Sequence, residues 1–144
     1  MMTVERMTEA HLDGVAELEE LCFGEPWSRE SLRLLLTDQA IGFVCVMNGR
    51  VAAYGGMLLA LDEGQITNVA VHPEFRRIGL GKKIVDALIG EARQRALTQI
   101  ALEVRCSNEA AISLYERAGF TRAGVRKRFY RNPTEDAFVM LVSV

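Results

Sequence analysis

Two places in the sequence hold side chains whose types and spacing can do chemistry. The first is Val69-Ala-Val-His-Pro-Glu-Phe-Arg-Arg-Ile-Gly-Leu-Gly-Lys-Lys83, which reads as an apolar strand, a stop at Pro73, a basic turn and a helix. Gly79 and Gly81 let the backbone approach a ligand closely and adopt positive φ. The helix that follows turns unpaired N–H groups and its positive dipole end into the same turn. With Arg76, Arg77, Lys82 and Lys83 around it, such a turn is suited to a pyrophosphate. The second place is the pair Glu103 and Tyr115. A carboxylate can collect an amine proton, directly or through one water. A phenol of ordinary pKa, about 10, stays protonated at neutral pH and can donate to a departing sulfur. Taken alone, each also has a plainer reading. Glu103 can be a solvated or ion-paired strand residue, and Tyr115 a core tyrosine whose hydroxyl finds a partner.

Other chemistries fit less well. Cys106 could form an acyl intermediate only with a base to activate it. The two histidines, His11 and His72, stand in no Cys–His pattern. Cys22, Cys45 and Cys106 are an odd number without metal-ligand spacing, so they read as reduced thiols, and no metal is expected. A Walker A loop would need glycine at position 76 and Ser or Thr at 83, where Arg76 and Lys83 stand. A dinucleotide fingerprint starting at Gly79 would need a third glycine where Ile84 stands.

The elements that position these residues follow from periodicity and turn chemistry. Thr3 to Arg6 reads as a short strand. Thr8 caps a helix running to about Leu21, with Leu12, Val15, Ala16, Leu18 and Cys22 on its apolar face. Ser28 caps a second helix, with Trp27 and Leu32 placed as a hydrophobic staple; Trp27 could also line a substrate site. Strands at 41–47 and 51–61 are joined by Asn48-Gly49, the signature of a type I′ hairpin. Asp62-Glu63-Gly64 is expected to turn into a third strand at 65–71. The Gly55-Gly56 pair predicts a bulge, a close backbone approach or a packing concession. A helix from Gly81 to Ala96 follows, then a strand from Thr98 to Val104 with Ile100, Leu102 and Val104 on one face and Glu103 on the other. Ser107 or Asn108 caps a helix ending at Gly119. Strands at 120–126 and 137–144 close the chain, separated by a long basic segment containing Tyr130 and Pro133. The order β-α-α-β-β-β-α-β-α-β-β predicts one α+β domain over 1–144 with a mixed sheet. Glu103 and Tyr115 then converge at a strand-to-helix corner.

Arg76-Arg-Ile-Gly-Leu-Gly81 is similar to the (Gln/Arg)-x-x-Gly-x-(Gly/Ala) loop of the GNAT N-acetyltransferases, which bind acetyl-CoA. Asn68-Val-Ala-Val-His-Pro73, Glu25-Pro-Trp-Ser28 and the block Leu102-Glu-Val-Arg-x-Ser-Asn-x-x-Ala-x-x-Leu-Tyr-x-x-x-Gly-Phe120 resemble the subgroup that acetylates the N-terminal alanine of a ribosomal protein (RimI-type). The resemblance spans nearly the whole chain. It implies the GNAT acyl-CoA N-acyltransferase fold, a mixed and mostly antiparallel central sheet flanked by helices. It further implies that the backbone of Val69, Ala70 and Val71 pairs with the acetyl-pantetheine arm. Arg76, Arg77, Ile78, Gly79, Leu80, Gly81 and Lys82 would wrap the pyrophosphate, and Asn108 would bond the pantetheine. Glu103 becomes the expected general base and Tyr115 the general acid. Cys106 departs from the small residue usual there.

At 144 residues, with 49% hydrophobic and 25% charged residues, the chain can bury a core and is not disordered. Its net charge of −2 gives no global attraction to nucleic acid or membrane. No run of 18 apolar residues occurs and the N-terminus lacks a signal-peptide pattern, so a cytoplasmic protein is expected, monomeric or weakly dimeric. The acceptor expected is a protein N-terminus. At pH 7 an α-amine is neutral several hundred times more often than a lysine, given unperturbed pKa values of about 7.8 and 10.4. Tyr130 is a second candidate for lining the acceptor site. A lysine, a polyamine or an aminoglycoside is the alternative acceptor, although only Glu19, Glu20 and Glu25 gather acidic charge near the entrance. A non-catalytic acyl-CoA-binding or ribosome-associated module is the alternative of another class. The basic residues Arg122 to Arg131 read as a solvated face or as a contact for an acidic partner or RNA.

Overall fold

Met2–Arg6 forms β1 and pairs antiparallel with β2 (Ala40–Met47), which returns as β3 (Arg50–Ala60). At the turn Asn48 and Gly49 take φ of 51° and 78°, the pair of positive angles that a type I′ turn demands. The computed structural model describes residues 2–144 and places β1, β2 and β3 at one end of a seven-stranded sheet. β4 (Glu63–Val71) continues the antiparallel meander, and β5 (Gln99–Arg105) joins it in parallel. β7 (Glu135–Ser143) lies against β5, with β6 (Thr121–Tyr130) at the far edge, giving the order β1-β2-β3-β4-β5-β7-β6. The parallel step requires a crossover, supplied by α3 (Leu80–Gln94).

Helices cover both faces of the sheet around β2, β3 and β4, while Thr121 to Phe129 of β6 stay exposed. Leu80, Ile84, Val85, Leu88, Ile89 and Ala92 of α3 recur at helical spacing and pack with Ile41, Cys45 and Met57 on one face. α4 (Glu109–Arg117) joins that side through Ile112 and Tyr115. The opposite face buries Ala40, Val44 and Tyr54 under α1 (Leu12–Cys22) and α2 (Arg29–Leu32), the latter continuing as a 3-10 turn through Leu36. No helix of the described residues is long and apolar enough to cross a membrane.

Many element ends shift by one or two residues from the sequence expectation, and three differences have a clear physical cause. After Thr8 the chain makes a 3-10 turn (Glu9–His11) before α1 begins at Leu12, because His11 Nδ1 accepts from the Thr8 amide and holds a tighter first turn. The turn expected at Asp62-Glu63-Gly64 lies one residue earlier: Leu61, at φ 56°, makes the reversal with Asp62, and Glu63 and Gly64 already pair in β4. The basic segment after Arg126 is mostly strand. β6 runs to Tyr130, and only 131–134 form the tip between β6 and β7.

Gly55 and Gly56 satisfy a bulge and a close approach together. A Cβ on Gly55 would stand 2.4 Å from Ile84 of α3, and one on Gly56 would stand 2.7 Å from Leu35 on the other face. At the same place Gly55 is opposite Val69 and Met57 opposite Ile66, so Thr67 and Asn68 together face Gly56. That extra residue is a β-bulge in β4.

Candidate active site

β4 and β5 are paired only from Glu63–Gln65 to Gln99–Ala101. Beyond Gln65 they diverge, and among the described residues no strand covers the β5-facing side of Ile66 to Val71. Backbone groups left without a ladder partner are a docking edge for an amide-bearing chain. Past the end of β4, the 3-10 turn Pro73–Phe75 leads into the glycine loop. Arg77 at φ 68° and Gly79 at φ 84° fold the loop back so that α3 starts at Leu80. Gly81 lies at the α3–α4 contact, where a Cβ would come 3.1 Å from Leu114. A splayed strand edge leading to a helix N-terminus fits a pantetheine arm ending in a pyrophosphate.

The cations around this loop are not all free to meet phosphate. Arg76 turns back, its Nε donating to the Val71 carbonyl at 3.2 Å and its Nη2 reaching Cys22 Sγ at 3.6 Å. Lys82 pairs with Asp86 at 2.7 Å, one turn along α3. The backbone amides of the loop and the N-terminal end of α3 are groups that could meet an anion here.

The split between β4 and β5 opens into a cleft of about 420 Å³ that collects Glu103, Asn108, Tyr115, Trp27 and Tyr130 on its walls. Strand alternation buries Ile100, Leu102 and Val104 and turns Glu103 to the other side, as expected. Its side chain is 16% exposed and held from two sides: Gln65 Nε2 donates to Oε1 at 2.8 Å, and Arg126 Nε stands 3.2 Å from Oε2. Tyr115 is buried, edge-on to Phe120 at 5.6 Å. Burial, and secondarily the neighbouring Tyr130, push its phenol well above the ordinary tyrosine value. Asn108 caps α4 by accepting from the Ala111 amide at 3.2 Å, which leaves its Nδ2 uncommitted to the cap. Tyr130 is pushed up to about 12, by burial first and then by the charge of Glu103, against the opposing pull of Arg105. The Arg105 guanidinium lies 4.4 Å over the Tyr130 ring and bonds the carbonyls of Arg131 and Pro133, tying β5 to the hairpin tip.

The other wall is the loop between α1 and α2, from Phe23 to Trp27. It meets the β6–β7 tip across the mouth of the cleft. Glu25 Oε1 accepts from the Arg131 amide at 3.1 Å, and a Cβ on Gly24 would stand 2.6 Å from the Asn132 carbonyl. Gln65 and Arg126, the two partners of Glu103, were not singled out as site residues by sequence reasoning. The one sequence signal touching Arg126 was its place in the basic run Arg122 to Arg131. Cys106 bears no evident base: its amide donates to the Asp136 carbonyl, and neither histidine lines the cleft.

The acetyltransferase (GNAT) family signature matches residues 12–120. The "[Ribosomal protein bS18]-alanine N-acetyltransferase" of Escherichia coli (strain K12) is 34% identical over 148 aligned positions, covering all of this chain and 99% of the relative. Its counterpart in Salmonella typhimurium is 33% identical, with the same coverage. Among solved structures, the ribosomal-protein-S18-alanine N-acetyltransferase from Escherichia coli superposes with a TM-score of 0.92 at 33% identity, covering 100% of this chain and 94% of that one. The stretch matched to the family, 12–120, contains β4, β5, the glycine loop, Glu103 and Tyr115. The chain belongs to the GNAT family and is an N-acetyltransferase.

Proposed function

We propose that the chain transfers an acetyl group from acetyl-CoA to the α-amino group of a protein N-terminus, directly and within a ternary complex. The N-terminal alanine of ribosomal protein bS18, printed in the relatives' names, is the first acceptor to try. The observation that carries this reading is the opening of Glu103 and Tyr115 onto one cleft where β4 parts from β5.

Each residue has a part in it. The backbone of Val69, Ala70 and Val71 supplies the free strand edge for the pantetheine amides. The amides from Arg76 through Arg77, Ile78, Gly79, Leu80 and Gly81 to Lys82 face the pyrophosphate, and Asn108 donates from Nδ2 to the arm. Bound acetyl-CoA supplies an activated thioester. Glu103 collects the proton the amine loses as its nitrogen bonds to the carbonyl carbon, with Gln65 and Arg126 fixing the carboxylate's aim. Tyr115 gives its proton to the thiolate as the carbon–sulfur bond breaks. Trp27 and Tyr130 flank the acceptor. The contact of Glu25 and Gly24 with the hairpin tip favours a chain that enters end-first over a side chain presented from mid-sequence.

Mass spectrometry of a peptide carrying an N-terminal alanine and an internal lysine, incubated with enzyme and acetyl-CoA, tests the assignment. Acetylation at the α-amine is expected. Acetylation confined to the lysine would overturn it.

A further inference from the structure

Glu19 has no part in the chemistry above, yet it is fully buried. No lysine, arginine or histidine pairs with it among the described residues. A buried carboxylate without a cation is unfavourable unless donors surround it, and here three do. The Trp27 amide donates to Oε1 at 2.7 Å, Asn68 Nδ2 donates to Oε2 at 2.9 Å, and the Tyr54 hydroxyl donates to Oε2. The donors belong to three elements: the loop before α2, the bulge of β4 and the middle of β3. Burial and the Glu19 charge hold the Tyr54 phenol well above its ordinary value, so it remains a donor throughout the working pH range.

Two of the three donors border the cleft. Trp27 stands on one wall and Asn68 on the other, and one carboxylate behind them holds both. The bulge is what makes this reach possible. Thr67 and Asn68 share the space opposite Gly56, which brings the Asn68 amide to the α1 face. We propose that Glu19 is a positioning residue that sets the width of the acceptor groove, by locking the 23–28 loop to the bulged strand. The proposal rests on the reading of that loop as an acceptor wall.

Glu19→Gln tests it. The substitution keeps the shape but replaces one acceptor oxygen by an NH2 that must face an existing donor. The expected result is an acceptor-peptide KM raised about tenfold, with the KM for acetyl-CoA within about twofold of wild type, since the partners of Glu19 are Trp27, Tyr54 and Asn68 and not the residues assigned to the cofactor. Trp27 is the single tryptophan, so its emission reports the loop directly. A red shift and stronger acrylamide quenching are expected in the folded variant. Unchanged emission with unchanged KM values overturns the hold of Glu19 on the loop. A red shift with an unmoved acceptor KM overturns the acceptor-wall reading and with it the groove-width role. Equal increases in both KM values indicate general damage and also overturn the proposal. Should Glu19→Gln fail to fold, Asn68→Ala carries the same test, because it releases one wall while leaving the carboxylate two donors. Tyr54→Phe is the control: it removes the one donor outside the cleft and is expected to leave the acceptor KM within about twofold.

Discussion

The Glu103 carboxylate is shared between an amide donor on β4 and a guanidinium on the edge strand, which fixes its orientation; in the proposed role it would meet an incoming amine already aimed. Positioned general bases and acids each contribute about 10²–10⁴-fold. Glu103→Gln and Tyr115→Phe are each expected to lower kcat by about 10²-fold or more with the acetyl-CoA KM little changed. Full turnover in either variant, with normal cofactor binding, would remove that residue from the mechanism. The raised Tyr115 pKa carries a sign: the acid must be protonated to act, and a higher pKa moves its loss to higher pH. The rate should therefore rise as the acceptor amine deprotonates, near pH 8, and then stay level to about pH 10. A falling limb centred near 10 would mean that an ordinary phenol is in play. That Glu103 and Tyr115 meet at one cleft was legible because a long, specific sequence block surrounds them. Glu19 was taken from sequence only as an acid near the entrance, although helical spacing sets it apart from Glu17 and Glu20: it stands four residues after Val15 and three before Cys22, on the apolar face of α1. What the sequence does not show is the set of donors from β3, β4 and the 23–28 loop that makes its burial tolerable.

At the scale of elements, short-range chemistry was read well and long-range compensation was not. Asn48-Gly49 specifies its turn by backbone preference alone, and the α3 stripe specifies its buried face. The Leu61 reversal defeats the same logic. A leucine at positive φ is a locally poor choice, made here by the pairing of Ala60 with Glu63 that both flanking strands impose. β6 was cut short in the sequence reading because its residues from Thr121 to Phe129 are exposed and carry no alternation of apolar and polar side chains. The Gly55-Gly56 pair is the sharpest test at this scale. Gly55→Ala puts a methyl 2.4 Å from Ile84 Cγ2, and overpacking of this kind costs about 1–3 kcal/mol. A lower midpoint in urea with an unchanged m-value is expected. A fully stable variant would show that α3 can move off the sheet freely.

The whole molecule has two apolar clusters, one under α3 and α4 and one under α1 and α2, separated by the sheet they share. β2 and β3 contribute side chains to both, through Ile41 and Cys45 on one face and Ala40, Val44 and Tyr54 on the other. Neither cluster can dissolve without removing a wall of its counterpart, so a single cooperative unfolding transition is expected. Trp27 emission, which senses the α1–α2 side, should change together with far-UV circular dichroism as urea rises; separated midpoints would show two independent units. The parting of β4 and β5 has a mechanical side. Within the sheet, β1–β4 and β5–β7 are stitched together by one short pairing at one end of the wedge, aided outside the sheet by α3, α4 and the contact of the 23–28 loop with the hairpin tip. This is the arrangement of a clothes-peg, with its spring at Gln65 and Ala101 and its jaws at the catalytic end. A ligand lying along the open edge of β4 would sit between the jaws, so the donor substrate would brace the gap between β4 and β5 while Glu19 separately holds the 23–28 wall.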